Sequence, residues 1–215
     1  MPGRRRLLVP AAVAIGLLPL AKLVFDAATG GLGQNPIAEA LNRLGYWTLL
    51  FLALTLAASP AHDWLGLSWP VRIRRALGLL TFGYAALHLA TYAGVDQFFD
   101  WAAIGTDIAK RKFIAVGFAT FLLLAPLAVT STDGWVRRLG FRRWKALHRL
   151  VYAAALGGVI HFLWRVKIDL REPLFFAIAI GLLVLLRLVP RPARPRRAPA
   201  SAGPRAAAPP PPPTP

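Results

Sequence analysis

Four histidines have the clearest capacity for chemistry in this chain. His88, His148 and His161 lie in apolar stretches, whereas His62 lies close to a basic segment. Imidazole is a common axial ligand of haem iron, and a histidine within a lipid bilayer is costly enough that it usually serves a function. Cysteine is absent and the only methionine is the first residue, which excludes disulfides, iron–sulfur clusters, zinc–thiolate sites, covalently attached haem and a methionine axial ligand. These residues therefore predict haem held by histidine.

His148 and His161 share one predicted helix, Lys145–Lys167. At ~1.5 Å per residue they are ~20 Å apart, which is most of a ~30 Å hydrocarbon core. They also point ~140° apart on a straight helix, which weakens an interpretation with two haems along this helix. Gly157 and Gly158 lie between them and could permit a local distortion or the close approach of a flat macrocycle.

Six apolar segments could position these histidines in a membrane. Hydrophobic residues make up 56% of the 215 residues and the mean hydropathy is +0.51, values typical of a membrane protein. The predicted fold class is all-α: a polytopic membrane protein with a six-transmembrane-helix bundle and haem between helices 3 and 5. The predicted helices are about residues 7–25, 44–59, 76–93, 113–129, 147–165 and 173–189, and residues 62–75 and 96–112 are predicted loops.

The two ends of the chain differ in character from the rest. The first apolar segment follows three arginines, as in a secretory signal peptide, but no convincing small-x-small cleavage site follows it and it is nearly long enough to span a membrane, so a retained first helix is predicted. Residues 1–189 then form one transmembrane haem-binding domain. Residues 190–215 are largely Pro, Ala and Arg, and are predicted to be a disordered or polyproline-II cytoplasmic tail whose arginines could contact anionic headgroups.

Basic residues are distributed unevenly between the two predicted faces. Six spans place both termini on one side, and that side has 18 of the 26 Lys and Arg residues but only two acids, Asp63 and Asp133. The opposite side has 8 basic and 7 acidic residues. The positive-inside rule therefore places both termini in the cytoplasm. Because the basic residues punctuate apolar spans and form no single groove, the formal charge of +17 does not indicate a nucleic-acid-binding protein.

Predicted depth in the membrane pairs His88 with His161. Both lie in the outer halves of helices 3 and 5, where they could ligate one haem iron. His148 lies near the cytoplasmic end of helix 5, and could ligate a second haem or lie near the propionates. Arg75 and Arg149 at the same end could pair with propionates or with lipid phosphate. For each histidine, a hydrogen bond across the bundle is the structural alternative.

Other chemistry has little support in the sequence. There is no Walker loop, no GxGxxG after a strand, no GxSxG and no HExxH motif, and no soluble segment is long enough to bind NAD(P)H. His62 lies in a predicted cytoplasmic loop without a partner at matching depth, so no metal role is predicted for it. No catalytic side chain is predicted. An electron donor would be another protein, a membrane quinol or a separately bound flavin.

Five segments in order along the chain carry a resemblance to a known family. They are NPIAEALNRLGYW (35–47), RRALGLLTFGYAALHLATY (74–92), DIAKRKFIAVGF (107–118), LAVTSTDGWVRRLGFRRWKALHRLVY (127–152) and IHFLW (160–164). In these segments the chain resembles MsrQ (YedZ), the family of haem-binding membrane subunits of methionine sulfoxide reductase systems in Gram-negative bacteria. That family belongs to the ferric-reductase-like transmembrane group, together with the NADPH oxidases. The resemblance covers roughly residues 35–189.

The resemblance implies specific residues, cofactors and partners. It implies that His88, His148 and His161 are the haem-associated histidines. It also implies an FMN cofactor and electrons drawn from the quinone pool in the inner membrane. The implied partner is MsrP, a periplasmic molybdopterin enzyme that reduces methionine sulfoxide in oxidised envelope proteins. Helix 3 has one histidine where the NADPH oxidases have two, so a second haem would need a different ligand.

Three functional hypotheses follow. The leading one is a b-type cytochrome, the electron-transfer subunit of an oxidoreductase, which passes electrons from quinol or flavin through haem to a periplasmic acceptor. The first alternative is a ferric-chelate reductase on the same scaffold. The second is a non-redox membrane subunit that anchors or assembles a partner, with histidines that only bridge helices.

Overall fold

The computed structural model describes residues 7–187 and residue 189, and these residues form helices and short links without a β-strand. The all-α prediction is therefore confirmed. The predicted tail at 190–215 and the first arginines lie outside the described residues. The helices are α1 (Leu8–Thr29), α2 (Pro36–Leu65), α3 (Trp69–Ala90), α4 (Trp101–Lys110), α5 (Lys112–Val129), α6 (Asp133–Leu139), α7 (Phe141–Leu147), α8 (Leu150–Arg165) and α9 (Arg171–Leu185), and a π-helical segment, Thr91–Asp96, continues α3.

Five helical segments in the described part of the chain are long and apolar enough to cross a membrane. They are Leu8–Thr29, Pro36–Leu65, Trp69–Asp96, Lys112–Val129 and Phe141–Arg165. The sixth predicted span corresponds to α9, which has 15 residues. At ~1.5 Å per residue α9 is ~22 Å long, shorter than a ~30 Å hydrocarbon core. The sixth crossing therefore stays a prediction.

The predicted loop at 62–75 is wrong, because only three residues separate the end of α2 from the start of α3. Gly66 ends α2 in the left-handed conformation with φ 72°, and its N–H donates to the carbonyls of Ala61 and His62. Pro70 lies in the first turn of α3, where a helix does not need the missing N–H. The predicted loop includes Pro70, whereas the position of Pro70 is that of a helix start.

The predicted loop at 96–112 is also wrong, since it contains α4. The side chain of Asp100 accepts a hydrogen bond from the N–H of Ala103 at 2.9 Å and caps the start of this helix. Trp101, Ile104 and Ile108 follow at helical spacing and line a cavity described below. The acidic residues and lysines around them lower the mean hydropathy of residues 96–112, so an average over this segment does not show the periodicity.

The structure corrects the continuous helix predicted for Lys145–Lys167. Helix α7 ends at Leu147, His148 and Arg149 form a turn, and α8 begins at Leu150. The N–H of Arg149 donates to Ala146 three residues back, a tighter closure than that of an α-helix. The angle of ~140° between the two histidines applies to a straight helix and not to this break.

Helix α1 is an integral part of the bundle because Tyr84 of α3 joins it. The Tyr84 hydroxyl donates to the carbonyl of Gly16 at 2.7 Å and accepts from the N–H of Leu20 at 3.0 Å. These two α1 groups are four residues apart and would bond to each other in a regular helix, so the hydroxyl is inserted into the helical ladder. The predicted first helix thus packs on the remaining bundle.

Three buried clusters hold the helices around a common centre. Leu44, Phe51 and Leu80 belong to a cluster between α1, α2 and α3. Leu52 and Phe176 belong to a second cluster between α2, α8 and α9. A third cluster, with Leu124, Leu127 and Ala154, joins α5 to α8. Helices α2, α3, α5 and α8 therefore surround a shared interior.

Candidate functional site

A cavity of about 440 Å³ lies among α2, α3, α5 and α8, and α4 contributes to its wall. Most of its lining is apolar, including Leu49, Ala85, Ile114 and Phe162. It extends toward the end of the bundle at which α3 and α8 end and α2 and α5 begin. We call this the cavity end, and the opposite end, where α3 begins, the basic end. The cavity provides a mostly apolar space within helices that can span a membrane.

His88 and His161 line this cavity from α3 and α8 and face each other across it. Their ring centroids are 6.1 Å apart and their planes are nearly perpendicular, at 89°. Two imidazoles that bind one metal from opposite sides have centroids ~6 Å apart, given a metal–nitrogen bond of ~2 Å and ~1 Å from that nitrogen to the centroid. The spacing therefore fits a pair of axial ligands on one iron.

Both histidines are oriented by backbone carbonyls. Nδ1–H of His88 donates to the carbonyl of Leu41 at 2.9 Å, and Nδ1–H of His161 donates to the carbonyl of Phe113 at 2.7 Å. Such a bond selects the tautomer in which the Nε2 lone pair is available to a metal. A second element thus positions each ligand, α2 for His88 and α5 for His161.

A glycine lies under each of these imidazoles, four residues after the accepting carbonyl. A Cβ added to Gly117 would lie 2.6 Å from Nδ1 of His161, which is impossible without displacing the ring. A Cβ added to Gly45 would lie 3.5 Å from Cε1 of His88, an ordinary contact. The sequence does not indicate that these glycines and carbonyls contact the histidines, since no local pattern links a glycine on one helix to a histidine on another.

The glycines within α8 have separate roles. A Cβ on Gly157 would lie 2.3 Å from Oγ1 of Thr120, so Gly157 allows α5 and α8 to approach closely. Gly158 lines the cavity. Helix α8 continues through both residues without a break. Gly157 thus permits the close approach of a helix, and the close approach of a macrocycle stays a prediction. The local distortion expected at these glycines is absent from them, and the turn in this part of the chain lies earlier, at His148.

His148 is not brought to the cavity. The Thr130 hydroxyl donates its only hydrogen to the carbonyl of Pro126 at 2.6 Å, so it accepts from Nε2–H of His148 at 3.1 Å. The Trp144 ring also packs on the imidazole, with centroids 4.1 Å apart. A haem role for His148 therefore stays a prediction. His62 lies in the last turn of α2, and its Nδ1 is 3.2 Å from the Leu67 carbonyl.

The arginines at the cavity are not those that the sequence suggested. Arg75 donates to the carbonyl of Ser131 and to the carboxylate of Asp133 at 3.0 Å, and it ties α3 to the link before α6. Arg111 and Arg165 instead line the cavity, at the cavity end. The signal for Arg165 was its spacing of four residues from His161, which places both on one helix face.

The two-histidine set fits a metal inside a macrocycle better than a bare ion. Among residues 7–187 and residue 189, no group of three or more His, Cys, Asp or Glu side chains could hold a metal ion. A porphyrin supplies four nitrogen ligands and leaves two axial positions, which matches one imidazole on each side. The apolar walls suit a flat hydrophobic ring. Residues and cavity thus fit a haem.

Comparisons with known proteins give the same picture. Residues 44–159 match the family described as "Ferric reductase like transmembrane component". The chain is 55% identical over 186 residues to the protein-methionine-sulfoxide reductase heme-binding subunit MsrQ of Rhodospirillum rubrum, which covers 86% of this chain and 89% of that protein. It is 48% identical over 190 residues to the same subunit of Deinococcus radiodurans, covering 86% and 94%. The chain therefore belongs to the MsrQ family of ferric-reductase-like transmembrane proteins.

Proposed function

We propose that the chain is a membrane b-type cytochrome that holds one haem b between His88 and His161. The pair of opposed imidazoles, 6.1 Å apart, is the observation on which this proposal depends. The relatives are named as heme-binding subunits, which supports it. When bound, the haem supplies a one-electron carrier inside the membrane.

The surrounding residues would prepare this carrier for electron transfer. The carbonyls of Leu41 and Phe113 hold the two Nδ1 hydrogens, fix the ring orientations and make each Nε2 a better donor. With haem bound, the mostly apolar walls would limit the access of water to the iron, and this would limit reorganisation when the charge changes. The side chains thus act by binding and positioning, and none acts as an acid, base or nucleophile.

The proposed physiological role is electron transfer from the quinone pool, with flavin as FMN, to an MsrP-like periplasmic molybdopterin methionine sulfoxide reductase. This role would support the repair of oxidised envelope proteins from the bacterial inner membrane. The relatives' names, which place them in methionine sulfoxide reductase systems, support it. The charge asymmetry of the sequence supports cytoplasmic termini, and a second haem near His148 belongs to the same proposal.

Haem content per chain in histidine variants tests the ligand pair. We expect His88→Ala and His161→Ala each to abolish the main Soret band, because each removes an axial ligand that the other cannot replace. His148→Ala is the matched control and should retain this band, since its imidazole bonds to Thr130 outside the cavity. Loss of haem in His148→Ala but not in His161→Ala would show that the pairing is wrong.

The optical spectrum of the wild-type protein also separates the alternatives. A Soret band that shifts on dithionite reduction is expected of either redox function, and its absence would leave only the non-redox anchor. The match to a ferric-reductase-like family favours ferric-chelate reduction as the second candidate. Reoxidation of the reduced protein by purified MsrP, but not by ferric chelates, would support the leading function, and the reverse would support the second.

A further inference from the structure

Arg165 lies close to the histidine pair, one helical turn after His161. It is the last residue of α8 and lines the cavity together with His88 and His161. Four helical residues advance ~6 Å and turn ~400°, so Arg165 lies ~6 Å beyond His161 on nearly the same face. Its guanidinium is thus placed toward the cavity end of whatever binds between the histidines.

The positive charge of Arg165 is not compensated by the described part of the chain. Arg165 is half-buried, and it makes no hydrogen bond or ion pair with any residue that the structure describes. Arg111, the other arginine of the cavity, pairs with Asp107 at 3.1 Å, and Asp107 also accepts from the Tyr92 hydroxyl at 3.0 Å. The acid Asp96 accepts from the side chain of Gln97 at 2.9 Å.

A half-buried guanidinium without a carboxylate partner at the mouth of an apolar cavity favours an anion that reaches it from the cavity. The occupant of the cavity is therefore expected to bring negative charge to this end. Haem b carries its charge on one edge, as two propionate carboxylates, and a guanidinium binds a carboxylate with two parallel hydrogen bonds. The flat apolar ring of haem b suits the mostly apolar walls of the cavity, and the position of its negative charge suits Arg165.

We propose that Arg165 binds a haem propionate, so that the haem is oriented with its propionate edge at the cavity end and Arg165 raises its midpoint potential. This inference rests on the proposed haem site between His88 and His161. It reverses the orientation suggested by Arg75 and Arg149, which lie toward the basic end. Arg165 is a positioning residue, since it would contact the propionate and not the iron.

The midpoint potential measures this role. Ferric haem has one more positive charge than ferrous haem, so removal of a nearby cation favours the ferric state. For Arg165→Gln we expect the equilibrium constant for one-electron reduction to fall at least tenfold, about 59 mV. Arg165→Lys should stay within threefold of wild type, because it retains the charge. Lys167→Gln removes an exposed cation two residues away, outside the cavity lining, and should leave the potential unchanged.

Haem dimethyl ester identifies the propionate as the partner. Protein produced under haem limitation is loaded with haem b or with this ester, whose propionates are neutral. If Arg165 binds a propionate, Arg165→Gln weakens the binding of haem b at least tenfold and changes the binding of the ester less than threefold, as in a double-mutant cycle. An equal loss of affinity for both haems, or a loss below threefold for haem b, overturns the inference.

Two further outcomes distinguish a failure of the propionate inference from a failure of the proposed haem site. If Arg165→Gln retains no haem, binding is compared in wild type and Arg165→Lys, and the ester should bind to both at least tenfold more weakly than haem b. Equal binding of the two haems then overturns the inference. Retention of haem by His88→Ala and His161→Ala would instead overturn the proposed site itself, whatever the result at Arg165.

Discussion

At the scale of single residues, each candidate ligand depends on groups that are not chemically reactive. The imidazole of His161 is held by the Phe113 carbonyl and lies over Gly117. The imidazole of His88 is held by the Leu41 carbonyl and lies over Gly45. The two halves of the site repeat one arrangement: a carbonyl, a glycine four residues later, and a histidine from a facing helix.

This arrangement predicts unequal effects of alanine at the two glycines. Gly117→Ala places a methyl group 2.6 Å from Nδ1 of His161, so the ring must move from the position in which it bonds to Phe113. Overpacking of this kind costs ~1–3 kcal/mol, or about 5- to 150-fold in haem affinity. Gly45→Ala is the matched control, with its new methyl at 3.5 Å from Cε1 of His88. Haem titration of both variants checks this, and equal affinities would contradict it.

At the scale of elements, the helices are joined by an inserted side chain, a tight turn and a close helix contact. Tyr84 of α3 is inserted between Gly16 and Leu20 of α1. A tight turn at His148 joins α7 to α8, and its imidazole bonds to Thr130 at the end of α5. Gly157 allows α8 to pack closely on α5, four residues before His161. These junctions connect the helices that carry the candidate ligands.

The Tyr84 junction predicts a loss of stability without a loss of site chemistry. Tyr84→Phe removes the hydroxyl that bonds Gly16 and Leu20, and we expect the free energy of unfolding to fall by ~1–2 kcal/mol. Tyr152→Phe is the control, since the Tyr152 hydroxyl makes no hydrogen bond to a residue that the structure describes. Thermal unfolding in one detergent measures both. An equal loss in the two variants would mean that the inserted hydroxyl contributes nothing.

At the scale of the whole molecule, the two ends of the bundle differ in charge and in structure. The basic end has the arginines that begin α3, and one of them, Arg75, pairs with Asp133. The cavity end has the opening flanked by Arg111 and Arg165 and the short helix α4. If the positive-inside rule holds, the basic end faces the cytoplasm and the histidine pair lies toward the outer face.

Cysteine labelling tests this orientation on a favourable background. The chain has no cysteine, so a single introduced thiol is unique. Lys145→Cys and Lys167→Cys form a matched pair of exposed positions, on either side of α8. We expect a membrane-impermeant maleimide to label Lys167→Cys in intact spheroplasts, and Lys145→Cys only after lysis. The opposite pattern would place the cavity end in the cytoplasm and would contradict the predicted topology.

The sequence by itself determined the class of protein and the set of candidate ligands. Apolar content and the transfer free energy of each segment add up along the chain, so a helical membrane protein can be predicted without knowing any contact. Loops were predicted less well, because Pro70 and Asp100 start helices within segments that are polar on average. A local average does not show such starts.

Predicted depth in the membrane places His88 and His161 at one level, but only the tertiary structure decided how their rings are placed and held. The distance and angle between the two imidazoles depend on helix rotation and crossing, which the packing of side chains between helices sets. The same holds for the glycine under His161, for the uncompensated Arg165 and for the removal of His148 from the cavity. Each is a relation between groups far apart along the chain, and no local pattern of residues encodes it.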